Sequence, residues 1–161
     1  SGTDDAFIAA APVLDAIATT VFKLGDTAGA GSAMKAVNQL LAGVHLAAMA
    51  EALTFGMTQG ISPGKFVDVI TQCAGTSWML EDRAPHIVLG DYTPHSSVDI
   101  WPKDLGIVLE IAKSVNFSAP LTTVALQQFF KASSAGLGRE DDAAITKIYA
   151  LDAGLTLPGV S

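Results

Sequence analysis

Gly29-Ala30-Gly31-Ser32-Ala33-Met34-Lys35-Ala36-Val37-Asn38 is the stretch whose reading decides the fold. A glycine pair opens an apolar helix, and a single lysine sits early on its polar side. Working outward, Thr27 to about Gln59 reads as one long helix, roughly 50 Å at 1.5 Å per residue. Between Leu40 and Leu53 it is apolar almost all round, which predicts burial on most sides. Gly43 and Gly56 lie within it, where close packing tolerates them, and Gly60 is placed to end it as a left-handed cap. Such a helix does not need a cation. Asn38 lies three residues beyond Lys35 and so shares its face. An ammonium and a carboxamide aimed at one spot can hold a small hydroxy acid.

Further elements follow in order. Ser62-Pro63 is an N-cap with proline at the first helical position, opening a helix to about Gln72. Gly75-Thr76-Ser77 opens another that carries Trp78, Met79 and Leu80 and fades near Pro85. Gly90 to Ser97 is a loop. Asp99 or Pro102 starts a helix through Val115, Ser118-Ala119-Pro120 one to about Ser134, and Asp141 or Asp142 caps a last helix to about Asp152. Leu155 to Ser161 is a tail. Upstream, Asp4 or Asp5 caps a short helix through Ile17, interrupted at Pro12. Its apolar stripe is Phe7, Ile8, Ala11, Leu14 and Ala18. Thr20 to Leu24 is β-like, and one isolated strand cannot satisfy its own backbone. Residues 1–25 therefore look like the end of an α/β unit, and residues 26–161 like an all-helical domain with its tail.

Composition narrows the partners. Half of the 161 residues are hydrophobic, 16% are charged, and mean hydropathy is +0.41. The excess reads as surface for another domain or subunit. A net charge of −7 with nine Lys and Arg disfavours nucleic acid and an anionic membrane surface. No stretch reaches the roughly 20 apolar residues that span a bilayer, and the acidic N-terminus lacks the basic start of a signal peptide. Cys73 is the only cysteine, so no internal disulfide forms, and a reducing cytoplasm is the expected location.

Spacing alone favours Lys35 as a surface lysine lying along apolar neighbours. The alternative is a lysine whose pKa is lowered by apolar surroundings, able to take a proton from an alcohol. Gly29-x-Gly31 is not a dinucleotide fingerprint, because it lacks the third glycine and the buried strand before it. His45 reads as a hydrogen-bonded core histidine, and Trp78 and Trp101 as packing residues. His86 and His95 lack companions at metal spacing, so no metal site is expected. His95 and Ser77 are candidate polar contacts for a hydroxylated substrate. Asp141-Asp142 is most simply a helix cap.

Gly29-x-Gly31-x-x-x-Lys35-x-x-Asn38 resembles the central motif of the β-hydroxyacid dehydrogenase family, which includes 3-hydroxyisobutyrate dehydrogenase, tartronate semialdehyde reductase and relatives of 6-phosphogluconate dehydrogenase. Lys103-Asp104-Leu105 resembles its Lys-Asp-Leu segment. Gly136-Leu137-Gly138-Arg139-Glu140-Asp141 resembles its Gly-x-Gly-x-x-Asp segment, and Phe7-x-x-x-x-Pro12-Val13-Leu14 the last helix of its nucleotide domain. Gly75-Thr76-Ser77-Trp78-Met79, Pro85-His86, Gly90 to Ser96 and Val98-Asp99-Ile100 are most similar to the branch that oxidises four-carbon sugar acids such as L-threonate with NAD.

The resemblance implies an all-α C-terminal domain of the 6-phosphogluconate dehydrogenase-like type, with one long central helix. A helix-and-strand remnant of a Rossmann domain, residues 1–25, would precede it. Lys35 would be the catalytic acid/base. Asn38, Gly29 and Gly31 would contact the substrate, Asp104 would line the substrate cleft or orient Lys103, and Lys103 would reach the NAD or NADP cofactor; Ser77, as a loop hydroxyl, stays a candidate substrate contact. Partners would be a hydroxy-acid substrate, the missing Rossmann domain, and a second copy through the long helix. The fragment alone would be inactive. Two other readings stay open: the same fold acting on 3-hydroxyisobutyrate or tartronate semialdehyde, and a helical dimerisation module without chemistry.

Overall fold

A computed structural model describes residues 1–160. The end of the expected tail, Ser161, lies outside the described residues. The elements are helices α1 (Asp4–Ile17), α2 (Ala30–Thr58), α3 (Pro63–Ile70), α4 (Trp78–Leu89), α5 (Ile100–Ser114), α6 (Pro120–Ala132) and α7 (Ile145–Asp152). A π-helical turn at Ser133–Leu137 follows α6, and a 3-10 turn at Asp142–Ala144 leads into α7. Among the described residues there is no β-strand, only one antiparallel bridge between Ser97 and Asp141. The chain divides into two compact units, Ser1–Asn38 and the rest from Gln39 on.

In the first unit, the hydroxyl of Thr3, rather than Asp4 or Asp5, caps α1 by accepting from the Ala6 N–H. The helix runs through Pro12 to Ile17 without breaking there. None of its residues is buried. Lys23 lies over the Phe7 ring at 5.1 Å and pairs with Asp4 at 3.7 Å. Thr20 to Leu24 is not the strand expected from its composition. A strand forms only where a second extended segment takes up its backbone groups, and no such segment pairs with it among the described residues.

The second unit holds the core. Leu46 and Leu53 of α2, Ile87 of α4, Leu105 of α5, Phe129 of α6 and Ile145 of α7 are all fully buried. Each such side chain contributes on the order of 1.5–3 kcal/mol by leaving water. Trp101 stacks on Phe129 with ring centroids 5.4 Å apart, so one of the two tryptophans packs as expected. Trp78 does not; it is 69% exposed at the start of α4. Gly43 is needed for the approach of α5 to α2, because a Cβ there would stand 2.8 Å from Leu105 Cδ2 and 3.0 Å from Trp101 Cε3. By length and composition α2 could cross a membrane, contrary to the expectation that no stretch could. Its buried residues from Gly43 to Gly56 are those of a core helix.

The helix ends follow local chemistry. Ser62 caps α3 ahead of Pro63, and Gly60 closes α2 with φ +82°. Helix α4 does not fade at Pro85 but continues to Leu89, where Gly90 ends it with φ 67°. Proline removes one donor from the ladder. Buried Ala84 and Ile87 on either side hold the helix across it.

Candidate functional site

The first group of candidate residues lies at the start of α2, in the first unit. Gly29 turns the chain with φ +97°, a conformation that side-chain-bearing residues rarely adopt. Its carbonyl accepts from the Ala33 N–H at 2.9 Å. The second residue of the helix, Gly31, donates its backbone N–H to Ser1 Oγ at 3.2 Å. A helix N-terminus offers several such N–H groups to an acceptor, and here a hydroxyl already uses one. Lys35 and Asn38 follow on a common helical face, and both are exposed. Met34 and Val37 beside Lys35 are themselves about half exposed, at 51% and 54%.

The second group lies in the second unit. Lys103 Nζ is 3.1 Å from Asp104 Oδ1, and Gln39 Nε2 donates to Asp104 Oδ2 at 2.6 Å. Lys103 remains 62% exposed while Asp104 is only 14% exposed. An ammonium has three donors. One faces Asp104, and the exposure leaves the rest of the group open to a phosphate or amide oxygen. That donor set suits a single contact to a nicotinamide dinucleotide. It is not a cradle for one, and no glycine-rich turn of the dinucleotide type occurs in the sequence.

Ser77 lies elsewhere in the second unit. Its hydroxyl caps α4 by accepting from the Leu80 N–H at 3.1 Å, which leaves its own proton free to donate. With Thr76 it edges an open hollow of ≈ 360 Å³, lined also by His45, Met49, Phe66, Ile70 and Leu80. Lys103 and Asp104 are not among the residues lining it. His45 is half-buried at this hollow rather than enclosed in the core.

One cluster was not legible in the sequence. Asp141 does act as a cap, accepting from the Ala143 N–H at 3.0 Å. It also accepts from the His95 backbone N–H at 2.9 Å and stands 3.1 Å from His86 Nδ1. The His95 ring meets His86 edge-on at 4.6 Å. Asp142 is wholly buried; it accepts from Arg83 Nε at 2.6 Å and from Trp101 Nε1 at 3.0 Å. Asp82 contacts the same guanidinium. Burial pushes the Asp142 carboxyl up, against the lowering pull of Arg83 and the Trp101 hydrogen bond. Burial also opposes the Arg83 charge, but the Asp142 hydrogen bond and the surrounding carboxylates outweigh it and raise that guanidinium. The available signal is the aspartate pair itself: Asp141 serves as the cap, and the adjacent Asp142 pairs with Arg83 and Trp101. This network ties α4, α5 and the 3-10 turn together. Among the described residues no group of His, Cys, Asp and Glu is placed to hold a metal ion.

Residues 29–149 match the sequence profile described as the NAD-binding part of NADP-dependent 3-hydroxyisobutyrate dehydrogenase. The chain is 52% identical, over 99% of its length, to an L-threonate dehydrogenase of Escherichia coli strain K12, of which it covers 52%. It is 37% identical over 92% of its length to a 2-(hydroxymethyl)glutarate dehydrogenase of Eubacterium barkeri, covering 49% of that protein. Among solved structures, it resembles a 3-hydroxyisobutyrate dehydrogenase from Salmonella typhimurium with a TM-score of 0.87 at 52% identity, over 91% of this chain and 52% of that one. The chain thus spans about half the length of the relatives it matches. The chain belongs to the 3-hydroxyisobutyrate dehydrogenase family.

Proposed function

We propose that this chain is the helical C-terminal part of an NAD(P)-dependent hydroxyacid oxidoreductase that oxidises a sugar acid such as L-threonate. The identity of 52% to an L-threonate dehydrogenase over nearly the whole chain carries this reading. Residues 1–25 are the end of a nucleotide-binding domain, and residues 26–161 the helical domain that supplies the acid/base. A nicotinamide cofactor, when bound, accepts hydride from the carbinol carbon. Lys35 Nζ takes the proton of the substrate hydroxyl. Asn38 donates its carboxamide to the same substrate. Gly29 and Gly31 let backbone N–H groups approach the substrate carboxylate, with Ser1 Oγ giving way to it. Lys103 makes one contact to the cofactor, and Asp104 orients Lys103. Ser77 donates its remaining proton to a substrate hydroxyl. The chain by itself is inactive.

Pairing of two copies through α2 belongs to the same reading. Leu41, Ala48, Ala52 and Phe55 are exposed at spacings that put them on one face of that helix, and Phe55 is 66% exposed. An exposed apolar stripe of this kind serves association.

The test uses the full-length enzyme with a panel of L-threonate, 3-hydroxyisobutyrate and tartronate semialdehyde, each with NAD or NADP in the matching redox state. L-threonate with NAD is expected to give the highest kcat/KM. A higher value for either other substrate moves the enzyme to that branch. Lys35→Ala should lower kcat by roughly 10²–10⁴-fold, the usual contribution of a positioned acid/base. An unchanged kcat removes Lys35 from this role.

A further inference from the structure

We infer that Gln39 is a positioning residue: its carboxamide holds the Asp104 carboxylate in the orientation that holds Lys103. The inference rests on the reading of Lys103 as the cofactor contact and extends it to a residue that contacts neither cofactor nor substrate in that reading.

The argument begins with helix geometry. Lys103 and Asp104 are consecutive residues of α5, and consecutive side chains on a helix diverge instead of facing each other. Their 3.1 Å contact is made by one oxygen of the Asp104 carboxylate. Its second oxygen is gripped from another helix, 65 residues away in the chain, by Gln39 Nε2 at 2.6 Å. A hydrogen bond to an ionised carboxylate is short and strong, and this one fixes the plane of the carboxyl group. One oxygen is thus anchored to α2 and the other is presented to Lys103.

Burial assigns the parts. Asp104 is 14% exposed, a half-sheltered relay; Lys103 is 62% exposed, a working end. A free lysine side chain carries rotamer entropy that is lost on binding unless it is already restrained. Holding Lys103 before the cofactor arrives removes part of that loss.

The neighbouring packing brings the clamp together. Gly43 lies one turn beyond Gln39 on the same helical face. Its missing side chain lets Leu105, next to Asp104, approach α2: a Cβ there would be 2.8 Å from Leu105 Cδ2. The first turn of α5 is fixed in turn by Trp101, which stacks on Phe129 and donates to Asp142. With the first turn of α5 held by these contacts, Gln39 sets the carboxyl orientation.

The test is a double-mutant cycle in the full-length enzyme. Gln39→Glu keeps the shape but sets a second carboxylate against Asp104. It should raise the KM for the nicotinamide cofactor about 10-fold, the factor expected from one lost charge-assisted hydrogen bond. The KM for the hydroxy acid and kcat should change less than about threefold on the same scale. Gln39→Met, which removes the donor without adding charge, should shift the cofactor KM in the same direction by less. In a Lys103→Ala background neither Gln39 substitution should have any further effect on the cofactor KM. An equal effect with and without Lys103 overturns the inference, as does a lowered Tm with an unchanged cofactor KM. If Lys103→Ala itself leaves the cofactor KM unchanged, the reading of Lys103 fails and the inference falls with it. If Lys103→Ala raises that KM and the Gln39 variants do not, the inference alone fails.

Discussion

Helices α1 and α7 are built from similar apolar material but differ in where it goes. Helix α1 has 14 residues and buries none; Ile8, Val13 and Ile17 are 71%, 62% and 75% exposed. Helix α7 has eight residues and buries Ile145, Thr146, Ile148 and Ala150. An isolated helix of either length is marginal in water. What holds α1 within its unit is local: the Thr3 cap, two acidic residues in the first turn, and Lys23 against Phe7 and Asp4. What holds α7 is a core. The same amphipathic signal in a sequence can thus mark a helix whose apolar residues are buried and one whose apolar residues are exposed.

Three measurements bear on that contrast. The largest effect is expected in the packed unit, at Arg83. Replacing it by Met leaves Asp142 buried without its cation, at a cost of roughly 3–5 kcal/mol. Urea unfolding reads this directly, and a loss below about 1 kcal/mol, typical of exposed pairs, would show that the network is ornamental to stability. A smaller effect is expected from the two tyrosines, the only ones in the chain. Burial pushes both Tyr92 and Tyr149 up to about 12, helped by Glu140 beside the first and by Glu51 and Asp152 beside the second. Their neutral forms are favoured in the folded state. Their contribution to stability is complete below about pH 10, the ordinary tyrosine value, and is lost as the pH rises through about 12. The phenolate absorbance should therefore appear late and together with unfolding; a rise centred near pH 10 in folded protein would contradict the burial. The smallest effect is expected in the unpacked unit. Ile8→Ala in α1 should change the stability of this chain by less than about 0.5 kcal/mol. A loss several times larger would place α1 against a core and erase the contrast.

Much of the fold was readable because it is written locally. Ser62-Pro63 and Gly60 state their helix ends by chemistry that needs no tertiary context. The long apolar run after Lys35 is recognisable at any distance from its partners. The errors arose where context decides. Thr20 to Leu24 has strand residues, but among the described residues no second segment pairs with it. Pro85 reads as a stop, whereas the burial of Ala84 and Ile87 carries α4 past it. Trp78 reads as packing because it lies at a helix start beside apolar residues, but a helix turns about 100° per residue and it faces outward. For the candidate site, the sequence named Lys103 and Asp104 and the structure joined them. It did not point to Gln39, because a contact across 65 residues leaves no periodic trace.

Gly43 has one more implication. The spacing between α2 and α5 is set by an absence, the single carbon that residue 43 does not carry. Widening that gap would uncouple Gln39 from Asp104 while leaving every polar atom of the molecule intact. In a mutational survey of this chain, position 43 would therefore score among the functional residues although it has nothing with which to bind or react.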